Sequence, residues 1–218
     1  MKILALDFSS SQRSAAVLDA VAATALEAVD SSPGRMMQPF ALIESALRQA
    51  NLEREAIECM AVGIGPGSYA GIRVAIAIAQ GWQLATGVKL LGISSADCVA
   101  AQASASAVTG RFSVLIDAQR GEFYLAGYES GPTGAIETSA LALATLAQAQ
   151  ERERAGELMV GPEVTRWFPN GRIVFPGAAP LARLAAQRTD FVPGEKLEPI
   201  YLRETTFVKA PPARILPD

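Results

Sequence analysis

Histidine is absent from all 218 residues. Serine and threonine nucleophiles are commonly activated by an imidazole base, so a hydrolase of the Ser–His kind is excluded. Cysteine is scarce: Cys59 and Cys98 stand in apolar surroundings without Cys-x-x-Cys spacing. That excludes a dithiol redox motif and a thiolate metal cluster, and predicts two buried free thiols. Aromatics make up 6% of the chain while alanine recurs throughout, which predicts small buried faces and close helix packing. No apolar run has the length of a membrane span, and Asp7 interrupts the amino-terminal segment before a signal-peptide core is complete. No membrane association is expected, and the expected compartment is the cytoplasm. An excess of positive charge is also missing: 19 Lys and Arg face 22 Asp and Glu, a formal net charge of -3. A self-sufficient grip on nucleic acid is therefore not expected, and contact with RNA would need a basic partner.

What the chain does have is alternation of strand-like and helix-like segments, which makes the predicted fold class α/β. Strands are expected at residues 3–6, 14–18 and 22–29, with Ser9, Ser10 and Ser11 in the first turn. Ser31, Ser32, Pro33 and Gly34 break that run, and Met37, Phe40, Ile43, Leu47 and Ala50 lie at helical spacing, predicting a helix over 36–50. Residues 57–64 predict a strand running into a glycine turn, and 72–86 the helix after it. A strand at 88–93 precedes an alanine-rich helix that Ser94 or Ser95 caps. Strands at 112–116 and 122–128 flank Asp117-Ala118-Gln119-Arg120-Gly121. Residues 139–147 predict a helix, and the polar stretch 148–157 its exposed end or a loop. Short strands at 158–160 and 173–175 and a helix at 180–188 complete the pattern. The implied division is 1–109, a first lobe; 110–193, a smaller second lobe; and 194–218, a proline-rich tail for which a return onto the first lobe is one course.

The most informative stretch is Gly63-Ile64-Gly65-Pro66-Gly67-Ser68-Tyr69-Ala70-Gly71-Ile72-Arg73. It combines a turn tight enough to require glycine with a helix start whose free N–H groups are able to receive an anion. It lacks the Gly-Lys-Ser/Thr ending of a P-loop, the spacing of a dinucleotide fingerprint and the Gly-x-Ser-x-Gly elbow of an α/β-hydrolase. Gly65, Pro66, Gly67 and Ser68 therefore read as a structural strand-to-helix turn, with phosphate contact at Ser68 or Ser95 left open. Asp7 and Asp117 each end a predicted strand and would suit a magnesium-bound phosphate if the lobes face one another. Exposed turn carboxylates are the simpler account of both, and no catalytic residue or metal ligand is assigned.

Three segments occur in the order of one family: Ile3-Leu4-Ala5-Leu6-Asp7, the glycine stretch from Gly65 to Arg73, and Val114-Leu115-Ile116-Asp117-Ala118-Gln119-Arg120-Gly121-Glu122-Phe123-Tyr124. With Pro199-Ile200-Tyr201-Leu202-Arg203 near the end, they resemble the bacterial TsaB family, formerly called YeaZ. The resemblance implies a two-lobed actin/Hsp70/sugar-kinase-like (ASKHA) fold. It also implies a noncatalytic role in tRNA threonylcarbamoyladenosine synthesis, supporting a TsaD-like transferase that modifies adenosine at position 37, alongside a TsaE-like ATPase. On this reading the catalytic metal belongs to TsaD and no cofactor is intrinsic. ATP or ADP would sit at a partner interface, tRNA would be met mainly through the complex, and a homodimer would form when TsaD is absent. The resemblance places the partner surface on two helices, at Met36, Met37, Phe40 and Ile43 and at Gly71, Ala75, Ile76, Ala79 and Trp82. Asp7-Phe8-Ser9 departs from the commoner Asp-Thr-Ser/Ala opening, so Phe8 is expected to pack rather than hydrogen-bond. The alternative from a different class is a stand-alone ATPase or sugar-kinase-like phosphotransferase, which would need Asp7 and Asp117 to converge.

Overall fold

Period-two alternation in the strands sets the layers of the first lobe. The computed structural model describes residues 1–22, 24–32, 38–132 and 134–202. Strands β1 (Lys2–Asp7), β2 (Arg13–Asp19), β3 (Thr24–Asp30), β4 (Cys59–Gly63) and β5 (Lys89–Ile93) form a sheet in the order β3-β2-β1-β4-β5. The first three pair with one another antiparallel, and β4 and β5 join β1 in parallel. Leu4, Leu6, Val17, Met60 and Val62 point to one face, and Ile3, Ala5, Ala16, Cys59 and Ala61 to the other. Both faces are covered, so the central strands are apolar on both sides.

Strands β6 (Arg111–Asp117), β7 (Glu122–Gly131), β8 (Gly134–Thr145), β9 (Leu158–Gly161) and β10 (Arg172–Ile173) form a second sheet, ordered β10-β9-β6-β7-β8. Read from its own first strand, this is the order of the first sheet again. An antiparallel trio is extended on the other side by two parallel strands. The molecule is thus one architecture used twice.

The helices are α1 (Pro39–Gln49), α2 (Tyr69–Thr86), α3 (Ser95–Ala105), α4 (Leu146–Arg154) and α5 (Ala178–Ala185). Helices α1 and α2 bury Leu42, Ile43, Ala46 and Leu47, and Ile72, Ala75, Ile76 and Ala79, against one face of the first sheet. Ser94 caps α3, its Oγ accepting from Ala96 N at 3.2 Å, which leaves Ser95 free for another role. Helices α3 and α5 are exchanged between the lobes. Helix α3, from the first half of the chain, packs on β6, β7 and β8, whereas α5, from the second half, covers β1 and β2. The amino terminus of α5 is anchored there because Glu27 Oε1 accepts from Ala178 N (2.8 Å) and Ala179 N (3.2 Å), and Ser14 Oγ from Ala178 N (2.8 Å). A carboxylate against a helix amino terminus also complements the helix dipole.

One stretch differs from the expectation. Residues 139–145 are not helical: they lie in β8, and the helix α4 begins only at Leu146 and runs through the polar stretch expected to be the helix end. From Ser139 to Leu143 the exposure alternates residue by residue, as it does on an edge strand. Pairing with β7 outweighs the helix propensity of the alanines, which spans only about 1 kcal/mol per residue. Helix α4 can start where it does because Thr145 and Gln148 close a capping box.

After α5 the chain returns to the first lobe. Val192 N donates to Leu90 O (3.0 Å), Leu197 is buried, and Ile200 N donates to Ile64 O (2.9 Å). Residues 203–218, most of the 194–218 tail, lie outside the described residues. Among the described residues no helix is long and apolar enough to cross a membrane.

Candidate functional site

The glycine stretch is built against the turn that follows β1. Ser68 N donates to Ser9 O at 2.6 Å, and Ser95 N to Gly65 O at 2.7 Å. At Gly67 (φ +148°) any Cβ would collide with the Ser9 carbonyl, and at Gly71 with the Phe8 carbonyl. Only glycine permits this approach of one backbone to another. The Gly65–Pro66 peptide is cis. Phe8 is completely buried in the core beneath α1 and α2.

Asp7 is not the exposed turn carboxylate expected. It is fully buried, and its Oδ1 accepts from Ser9 N (2.9 Å) and Ser9 Oγ (2.7 Å), its Oδ2 from Ser95 Oγ (3.2 Å). Burial pushes its pKa up, against these hydrogen bonds. Asp117 does reach the cleft between the lobes, a cavity of about 510 Å³ lined also by Ser10, Arg13, Ser68, Glu163 and Tyr201. Its Oδ1 accepts from Gln119 N at 2.7 Å. The two aspartates therefore occupy different environments, one sealed in the first core and one on the cleft wall. Of the two serines weighed for phosphate, Ser68 lines the cleft and Ser95 is committed to Asp7. At the rim, Tyr201 Oη accepts from Arg73 Nε (3.2 Å) and Nη2 (3.1 Å), and the Arg73 guanidinium lies 4.1 Å over the Tyr69 ring. This holds residues 199–201 across the cleft mouth.

The expected partner surface needs correction. Ile43, Gly71, Ala75, Ile76 and Ala79 are all buried in the monomer, facing the first sheet. Their i, i+3, i+4, i+7 spacing marks the stripe a helix buries against its own core, so it does not distinguish a docking face. Phe40 is 62% exposed and Trp82 is half-buried. Met36 and Met37 lie outside the described residues. The outward stripe of α2 is Ala70, Arg73, Ala77, Gly81 and Leu84, with Leu84 at 89% exposure and open space beside Gly81. Rotating the helical wheel away from the apolar maximum would have found it. Between α1 and the end of α2, Phe40, Glu44, Leu47, Arg54, Trp82 and Ala85 line a groove of about 270 Å³.

Cys59 and Cys98 are both buried and unpaired by disulfide. Burial pushes the Cys59 thiol up to about 11 and the Cys98 thiol well above its ordinary value. Both are inert as nucleophiles near neutral pH.

A duplicated sheet of antiparallel trio plus parallel pair, with a cleft between the copies, is the two-lobed α/β fold of the actin/Hsp70/sugar-kinase class. Residues 38–185 match the family described as TsaD: tRNA N6-adenosine threonylcarbamoyltransferase. The Escherichia coli (strain K12) tRNA threonylcarbamoyladenosine biosynthesis protein TsaB is 28% identical over 192 residues, 79% of this chain and 82% of that protein. YeaZ from Pseudomonas aeruginosa has the same fold, with TM-score 0.78 and 24% identity over 92% of this chain and 99% of that one. A further solved structure, described as an uncharacterized protein with similarity to peptidase YeaZ from Pseudomonas aeruginosa, gives TM-score 0.81 at 24% identity, covering 93% and 99%. The chain belongs to the tRNA N6-adenosine threonylcarbamoyltransferase family, and it is similar to the Escherichia coli TsaB protein along most of its length.

Proposed function

We propose that this chain is a noncatalytic subunit of tRNA threonylcarbamoyladenosine synthesis, acting in the cytoplasm by holding a TsaD-like transferase in its active state. The observation that carries this reading, beside the family match, is the outward stripe of α2. Beyond Arg73 it is small at Ala77 and Gly81 and ends in the exposed Leu84, while the exposed Phe40 of α1 shares a groove with Trp82 and Ala85 on the same helix end. Apolar side chains left in water on adjoining helices gain by burial against a partner, and a stripe of Ala and Gly lets another helix approach closely. A TsaD-like protein is the proposed occupant, with a second copy of this chain taking its place when TsaD is absent. The metal and the transfer chemistry belong to the partner, a TsaE-like ATPase joins the assembly, any ATP or ADP lies at a partner interface, and tRNA is met mainly through the complex. The burial of Asp7 weighs against the stand-alone phosphotransferase, which needs that carboxylate on the cleft beside Asp117.

The test is reconstitution on an ANN-decoding tRNA with TsaD, TsaE, ATP, magnesium and threonylcarbamoyl-adenylate, with this chain alone, omitted, or present. Modification is expected only in the complete mixture; product from this chain alone, or an undiminished yield without it, would refute the proposal. Ala77→Arg and Leu84→Glu, both on the outward stripe, are expected to weaken pull-down of TsaD about tenfold or more while leaving the monomer's melting temperature unchanged. Ile76→Glu is expected instead to unfold the monomer, because Ile76 is only 6% exposed within the core.

A further inference from the structure

The described part of the chain ends on the outward stripe of α2. Tyr201 Oη accepts from both Nε and Nη2 of Arg73, a member of that stripe, and the Tyr201 and Tyr69 rings lie 6.3 Å apart between centroids. Residues 203–218 therefore depart from the amino-terminal end of a helix face that is uncovered among the described residues. From Arg73 a single i, i+4 row runs through Ala77 and Gly81 to Ala85, all exposed, with open space beside Gly81. Ala85 opens onto the groove of about 270 Å³ that Phe40 and Trp82 also line. The row is a track of small side chains with an apolar groove at its far end.

Lengths and sequence agree on what fills that groove. From Arg73 to Ala85 the helix rises about 18 Å, at roughly 1.5 Å per residue. From Tyr201 to Phe207 an extended chain spans about 20 Å, at roughly 3.3 Å per residue. Phe207-Val208 is the first pair of large apolar residues after Leu202, and it arrives at the groove. Glu44 and Glu55 outnumber Arg54 in the lining, which suits Lys209 as the next residue. A segment anchored at Tyr201 meets the groove at an effective concentration on the order of millimolar, so a weak contact is populated. A second copy of the chain has no such tether and loses translational and rotational freedom on association.

We propose that residues 203–208 lie along the Arg73–Ala85 row with Phe207 in the groove beside Phe40 and Trp82, so that the free chain covers its own docking face. The contact stands on the geometry of α2 and the end of the described chain. Its consequence, that a TsaD-like partner must displace the segment, rests on the partner reading.

The experiment compares the full chain with its Phe207→Ser variant, both with labelled alanine and leucine methyl groups for NMR. The Ala77, Leu84 and Ala85 methyl resonances are expected to differ between the two at every protein concentration. A synthetic peptide of residues 203–210, added to the variant, is expected to move them back with saturation. Unmoved methyl resonances, or differences that fade on dilution and so belong to a second copy, overturn the contact. Phe207→Ser is also expected to bind a TsaD-like partner about fivefold more tightly, since the face no longer has to be cleared. An unchanged or weaker affinity overturns the covering role. Failure of both proteins to bind TsaD refutes the partner reading instead, and the methyl resonances still decide the contact.

Discussion

The Asp7 carboxyl has three donors within hydrogen-bond distance, and burial still pushes its pKa up. A carboxyl whose folded pKa lies above its unfolded value binds its proton more tightly in the native state. Its contribution to stability is therefore complete below the ordinary carboxylate value and is lost as pH rises through the folded one. Asp7→Asn removes the ionisation while its side-chain oxygen still accepts from Ser9. Relative to the native protein, the variant is expected to gain stability progressively as pH rises from acid toward neutral, read from urea midpoints across that range. A stability difference that stays flat with pH would show that Asp7 does not titrate as burial requires. Asp7 and Asp117 are indistinguishable in sequence, each ending a strand before a polar turn. Their environments separate them because Ser95, distant in the chain, is brought onto one and not the other.

At the scale of elements, the glycine stretch is a backbone-to-backbone seam more than a loop, and Gly67 is its tightest point. Gly67→Val would drive Cβ into the Ser9 carbonyl in a region of φ that branched residues avoid. A loss of about 3 kcal/mol or more is expected, measured as a drop in the urea midpoint with an unchanged slope; an unaltered midpoint would mean that the seam opens at no cost. This element was legible in advance because glycine spacing and a serine N-cap report local geometry directly. The strands of the first sheet were legible through their apolar runs. β8 was not, because Ala-Leu-Ala-Leu-Ala fits a helix as well as an edge strand until its partner β7 is known. The apolar spacing of α2 misleads for a related reason. Apolar spacing reports burial but does not say whether the protein's own sheet or another molecule does the burying, and here Ile72, Ala75, Ile76 and Ala79 were taken by the sheet.

For the whole molecule, the relation between the lobes is set by the exchange of α3 and α5. The sequence division at 109/110 falls between the two sheets, but each half carries a helix that covers the other half's sheet. Neither half alone has a complete core: residues 1–109 would leave Ile3, Ala5 and Ala16 bare, and residues 110–218 would leave Phe112, Val114 and Ala126 bare. A chain divided there is expected to yield two insoluble fragments when they are produced separately, and a soluble 1:1 complex with native-like helix content when they are produced together. Independent folding of either fragment would show that the exchanged helix is dispensable. The crossed helices thus behave as a clasp, making the two halves obligate complements in the manner of a split reporter, so that cleaving the single connection after α3 would make lobe assembly depend on concentration.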